Sequence, residues 1–181
     1  MGPEPGRPRE DRPGILDFHN QWEYWAGRRN GRLAFRNCGV AGDRTDQLAK
    51  RLAGCAYGAA VVVIQGGIND IAQGRPVGVA ARNLLGMVRQ GKRMGIAVVT
   101  VEVLPWNGGD RQADRRIREL NRRIRAIGRA ENVLVLPWYR ALEDPRIPGR
   151  MRASMTSDGK HPSVAGQEAL GALFRVPPFV H

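Results

Sequence analysis

Apolar residues follow two rhythms along this chain. Residues 59–67 (AAVVVIQGG), 95–106 (GIAVVTVEVLPW) and 132–138 (NVLVLPW) are almost continuously apolar and rich in β-branched side chains. That pattern predicts short strands covered on both faces of a parallel sheet. Between them the spacing becomes helical, over residues 75–95 and 110–131. In the second stretch Ala113, Ile117, Leu120, Ile124 and Ile127 recur at steps of four and three, so a single stripe of an otherwise charged helix faces a core. Residues 22–28 read as a shorter helix, with Trp22 and Trp25 three apart. Residues 42–54 read as another, with Asp43 or Thr45 as N-cap, Leu48 and Leu52 one turn apart and Gly54 as a stop. Residues 32–40 (RLAFRNCGV) read as a strand, and a last helix opens at Val164.

Strands alternating with amphipathic helices predict an α/β fold, a parallel sheet with helices on both faces joined by right-handed crossovers. Residues 15–181 are expected to form one domain. Residues 1–14 (MGPEPGRPREDRPG) carry Pro, Gly and charge without apolar periodicity, and are expected to be a disordered, basic, Pro-rich arm.

Composition narrows the class. The formal charge is +12 and the pI near 11.2, yet only three of the 29 basic residues are Lys, and the arginines are spread along the chain rather than gathered in a block. The charge therefore reads as a solvated surface, and nucleic acid is not expected as a partner. No apolar run approaches the length of a membrane helix and no signal peptide is legible, which gives a cytoplasmic, non-membrane expectation. Cys38 and Cys55 are too few for a disulfide framework and sit beside no ligand set, so they are expected to be buried free thiols. No cofactor motif or metal set is present.

In a parallel sheet, ligands sit beyond the carboxyl ends of the strands, so the loops there carry the candidate chemistry. In GGIND (residues 66–70) a glycine pair lets the backbone turn sharply, and the Asn69 carboxamide can donate to an oxyanion without adding charge. In NCGVAGDRT (residues 37–45), Gly42 stands at a strand-to-helix corner where a backbone N–H points outward. In DGKHP (residues 158–162), an Asp three positions before a His can reach the imidazole, fix its tautomer and steady the imidazolium. Trp106 and Trp138 are candidate pocket walls, and Arg111, Arg140 and Arg150 candidate partners of an anionic ligand. His19 and His181 lack such a setting and read as surface residues.

In order and spacing, these three stretches resemble the blocks of the SGNH, or GDSL, hydrolase family over roughly residues 20–175. The resemblance implies a flavodoxin-like three-layer α/β/α sandwich and a small-molecule ester as ligand. It also implies an acid and base in Asp158 and His161, and oxyanion donors in Asn69 and the Gly42 N–H. The family's first block, a buried strand ending in Gly-Asp-Ser, has no counterpart. Ser154, Ser157 and Ser163 are the chain's serines, all beside the histidine loop, whereas the nucleophile should precede FHNQWEYW.

Three readings stay open: an altered N-terminal reading frame; a member that binds, isomerises or dehydrates a small molecule; or replacement of the serine by Asp17 or a His161-activated water. Without its first strand, the family's sheet would hold a slot about two strand spacings wide. Three outcomes are then expected: residues near Ile15–Phe18 enter the sheet, LAFRN pairs directly with VVVIQ, or another chain supplies the strand. The last leaves a homo-oligomer open.

Overall fold

The computed structural model describes residues 18–177. Its sheet has three parallel strands in the order β1 (Val61–Ile64), β2 (Ala97–Val101), β3 (Leu134–Leu136). Val62 is in register with Val98, and Val99 with Leu134. The helices are α1 (Trp22–Arg29), α2 (Thr45–Ala56), α3 (Ile68–Ala72), α4 (Val77–Arg93), α5 (Arg111–Glu131), α6 (Trp138–Leu142) and α7 (Val164–Leu173).

Successive strand residues point to opposite faces, and this divides the core in two. Val62, Ile64 and Val98 pack with Leu52, Leu84, Met87, Val88, Ile117, Leu120 and Ile124 of α2, α4 and α5. Val99, Val101 and Leu136 pack on the other face with Ala26, Trp138, Leu142, Leu170 and Phe174. The result is a three-layer α/β/α arrangement, each buried Leu, Ile or Val contributing roughly 1.5–3 kcal/mol by removal from water. Helix α5 carries the stripe its spacing predicts: Ile117, Leu120 and Ile124 are buried. Asp110 caps its start by accepting from Ala113 N at 2.7 Å, and Asn132, at φ 53°, ends it in the left-handed region.

Four expectations need correction. Residues 32–40 form no strand among the described residues, and LAFRN does not pair with VVVIQ. Their backbones are separated by a cleft of about 830 Å³ that both Leu33–Ala41 and Ala60–Gln65 line. Strand composition gives a segment the capacity to pair, and among the described residues no strand stands beside it at hydrogen-bonding distance. Phe18 lies in a one-turn 3₁₀ helix, Phe18–Asn20, outside the sheet; Ile15, Leu16 and the arm 1–14 fall outside the described residues. Helix α2 runs past Gly54 to Ala56, and its N-cap is Arg44, whose N–H donates to Gln47 Oε1.

The fourth correction concerns the cysteines. Cys38 and Cys55 form a disulfide, their Cα atoms 6.0 Å apart, because the segment after α1 runs back along α2. Arg51 donates to Cys38 O and Arg36 to Cys55 O and Tyr57 O, so the same stretch is tied down on both sides of the bridge.

Closing a loop of this length stabilises a fold by about 3 kcal/mol. Guanidinium unfolding with and without reductant, or of Cys55→Ser, is therefore expected to show a loss of that order. An unchanged midpoint would mean that the bridge adds no constraint.

Candidate functional site

The residues TSDGKHPS fold into a closed loop whose side chains bond mostly to one another. Thr156 Oγ1 donates to His161 O at 2.8 Å and accepts from Gly159 N at 2.8 Å, while Ser157 N donates to His161 O at 3.2 Å. Gly159 takes φ +80° and lies so close to Asn107 that an added Cβ would be 2.9 Å from Asn107 Cβ, which restricts the position to glycine. Ser163 then caps α7, its Oγ accepting from Gly166 N and donating to Ser154 O.

Asp158 is the centre of this loop. Its Oδ1 accepts from the backbone N–H groups of Lys160 and His161, each at 2.8 Å, and its Oδ2 lies 2.7 Å from His161 Nδ1. The His161 backbone N–H, then the imidazole, then the Lys160 N–H hold the carboxyl well below the usual carboxylate range. An ionised Asp158 keeps the Nδ1 proton, and the lone pair is then on Nε2, the atom free to accept a proton. Three-quarters of the His161 side chain is exposed, and it lines the mouth of the cleft with Val40, Ala41 and Gln65.

Asn69 and Gly42 come together on the other side. Asn69 Nδ2 donates to Asp43 O at 2.9 Å, which joins the first turn of α3 to the corner holding Gly42, itself at φ +83°. One carboxamide hydrogen is used in this bond and the second is left. Beneath them lies Asp70, fully buried, accepting from Thr45 N at 2.9 Å and Thr45 Oγ1 at 2.8 Å. Asn83 donates to the same hydroxyl at 3.0 Å. Gly67 precedes α3 at φ +116°, packed against Leu120 and Val103 where a side chain would collide. His161 with Asp158, and Asn69 with Asp43, are thus two separately bonded pairs. The cleft wall includes His161 and the residues just before Gly42, but Gly42 and Asn69 themselves stand beyond that lining.

The sequence reading missed two groups. Asp70 is one, and its signal was Thr45, a helix-start residue able to answer a buried carboxyl with two donors. Glu23 is 7% exposed, lines the cleft and accepts from Asn37 Nδ2 at 3.0 Å. Its signal was a charged residue on the stripe that buries Ala26 and Gly27.

Other candidates take structural places. Trp138 is completely buried and packs on Trp22 with ring centroids 5.2 Å apart, so it belongs to the core and not to a pocket wall. Trp106 packs against the α5-side core and is absent from the cleft lining. Arg150 Nη1 donates to the carbonyls of Trp106, Asn107 and Gly109, which commits it to the loop after β2. Arg111 and Arg140 are exposed. His19 lines a small surface pocket with Glu168, and His181 lies outside the described residues. Among the described residues no group of three or more His, Cys, Asp or Glu is placed to hold a metal ion, and no helix is long and apolar enough to cross a membrane.

A family model for GDSL-like lipases and acylhydrolases matches residues 11–169, and the chain belongs to that family. A GDSL-like lipase from Bacteroides thetaiotaomicron VPI-5482 is similar at 25% identity, over 77% of this chain and 72% of that one, with a TM-score of 0.72. A member of the lipolytic G-D-S-L family from Veillonella parvula DSM 2008 shares the fold at 19% identity, over 91% and 88% of the two chains, TM-score 0.75. An acetyl xylan esterase does so at 16% identity, over 77% and 78%, TM-score 0.65. No curated protein matches the chain.

Two stability predictions follow from the buried carboxyls. Asp70→Ala leaves both Thr45 donors without their acceptor and is expected to cost about 3 kcal/mol in chemical unfolding. Burial, opposed only in part by a backbone hydrogen bond, raises Glu23 from 4.5 to about 7. The folded state then binds a proton that the unfolded state has released, so stability is greatest below the unfolded value and falls as pH rises between the two. The loss reaches up to about 3 kcal/mol. Unfolding free energies measured across that window should show the slope, and Glu23→Gln should flatten it.

Proposed function

We propose that the cleft beside His161 is an ester-binding site of the SGNH type. The observation that carries this is the Asp158–His161 pair: a carboxylate held by two backbone N–H groups orients an exposed imidazole whose Nε2 is free at the cleft mouth. Such a pair takes a proton from a hydroxyl or water as an acyl carbon is attacked, and returns it to the leaving alcohol. Asn69 Nδ2 and the Gly42 N–H are the proposed donors to the tetrahedral oxyanion. Preorganised donors of this kind are worth about 3 kcal/mol each in the transition state. The Asp70–Thr45 lock and the Asn69–Asp43 bond support this assignment by fixing both donors' backbones. The substrate class is a small acyl or carbohydrate ester.

The nucleophile is the missing part. Ser163 is engaged as the cap of α7, while Ser154 and Ser157 lie in and beside the 3₁₀ turn before the histidine loop. None stands at the end of a strand. This favours, as a second reading, a site that binds a small molecule or performs isomerisation or dehydration with a base and an oxyanion pocket but no covalent intermediate.

Hydrolysis of p-nitrophenyl acetate by the chain and by His161→Ala tests the first point; the two rates are expected to be alike and close to that of buffer. His161-dependent turnover well above buffer would show that another group serves as nucleophile. Titrating the same ester while following the His161 ring protons by NMR tests the site itself. A saturable shift is expected, and its absence would remove the assignment.

A further inference from the structure

The Gly42 N–H is presented by a tight turn. Asp43 N donates to Val40 O at 3.2 Å, which closes residues 40–43, and Gly42 takes φ +83° at the third position. That conformation turns the peptide group between Ala41 and Gly42 out of the turn's own bonding. Among the described residues the Gly42 N–H has no acceptor, and a Cβ added at Gly42 would meet nothing within 4 Å. The donor therefore stands in the open. One bond across the mouth of a turn lets it pivot on its two ends, so the direction of this N–H depends on what holds them.

Arg51 of α2 holds both. Its Nη1 donates to Cys38 O at 2.8 Å, and its Nη2 donates to Asp43 Oδ2. Both amino groups belong to one planar guanidinium, so the two ends of the turn are spaced by a rigid fork and not by two independent contacts. The Asp43 side chain is only 12% exposed, so water competes poorly for that half of the contact. Other ties reach one end each. The disulfide to Cys55, one helical turn beyond Arg51, holds Cys38, and Asn69 holds Asp43 through its carbonyl. Among the described residues Arg51 is the side chain that spans the two.

We propose that Arg51 is a positioning residue of the candidate site, aiming the Gly42 N–H by clamping both ends of its turn to α2. The inference rests on the reading of that N–H as an oxyanion donor. A hydrogen bond weakens steeply as its angle closes, so a turn that pivots loses the donor without losing the fold. The guanidinium is already engaged by Cys38 O and Asp43. It supplies geometry, and no charge of its own, at the acyl oxygen.

Methyl methylphosphonate, a stable tetrahedral anion, is the probe. It is titrated into the isotope-labelled full chain while the Gly42 amide and the His161 ring protons are followed by NMR. In the unsubstituted chain the Gly42 amide proton is expected to move downfield and saturate. Arg51→Met keeps the stem without the fork, and Arg51→Lys keeps the charge without the fork. Each is expected to raise the apparent Kd read at Gly42 about tenfold, with the His161 signals of the ligand-free protein unmoved. An equal response in Arg51→Met overturns the proposal and leaves the ester-site reading intact; full rescue by Arg51→Lys also overturns it, because charge would then suffice. No response at Gly42 in the unsubstituted chain removes the oxyanion assignment itself, and this inference with it. Asp43→Ala covers the case in which the Arg51 variants do not fold, since it keeps the carbonyl that Asn69 uses and takes away one prong's partner. The same loss at Gly42 is expected there, and an undiminished response overturns the proposal.

Discussion

A carboxyl with no access to water has to be met by donors at close range, and in this molecule that requirement fixes how α2 and α3 meet. Asp70 lies fully buried under the first turn of α3, and Thr45 answers it with both backbone N–H and hydroxyl. Thr45 opens α2 and Asp70 belongs to the short helix after β1, so one two-pronged contact sets the distance between two loops 25 residues apart in sequence. Asn69 and the Gly42 corner take their relative position from it, and the Asn69–Asp43 bond completes the join. A buried carboxyl that lost these donors would be left unpaired in the interior, so this geometry resists gradual drift.

The histidine side follows a different rule. Asp158 and His161 are exposed, and their arrangement comes from the loop TSDGKHPS, which closes on itself through Thr156, Ser157 and Gly159. The Asn69–Gly42 corner is therefore held by burial and the Asp158–His161 pair by local hydrogen bonding. The cleft brings the imidazole next to Gln65 at the end of β1, where a doubly wound sheet presents its ligands.

Much of this was legible in the chain. The three strands and the long helices α4 and α5 follow from hydrophobic period alone, since Val62, Val98 and Leu120 can be buried only if the pattern is obeyed. Asp158 and His161 were legible because their contact spans three residues. Contacts across long separations were not. Cys38 and Cys55 give no sequence sign of pairing, because their approach depends on a segment that turns back along α2. RLAFRNCGV has strand composition, yet among the described residues it has no neighbouring strand, and composition does not supply one. The burial of Glu23 depends on how α1 seats against Asn37, which a single sequence does not specify.

Asn107 ties the far rim together: its side chain donates to Met151 O and accepts from Met151 N, and its backbone N–H donates to Gly159 O. With the Arg150 guanidinium on three carbonyls of the same loop, the turns after β2, after α6 and before α7 are joined by one hydrogen-bonded web. An insertion on this side would pull the imidazole out of place, and one on the opposite lip, around residues 39–41, would strain the Cys38–Cys55 bridge and the Asn69–Asp43 bond that flank it, so what the mouth admits is altered with least disturbance by exchanging side chains.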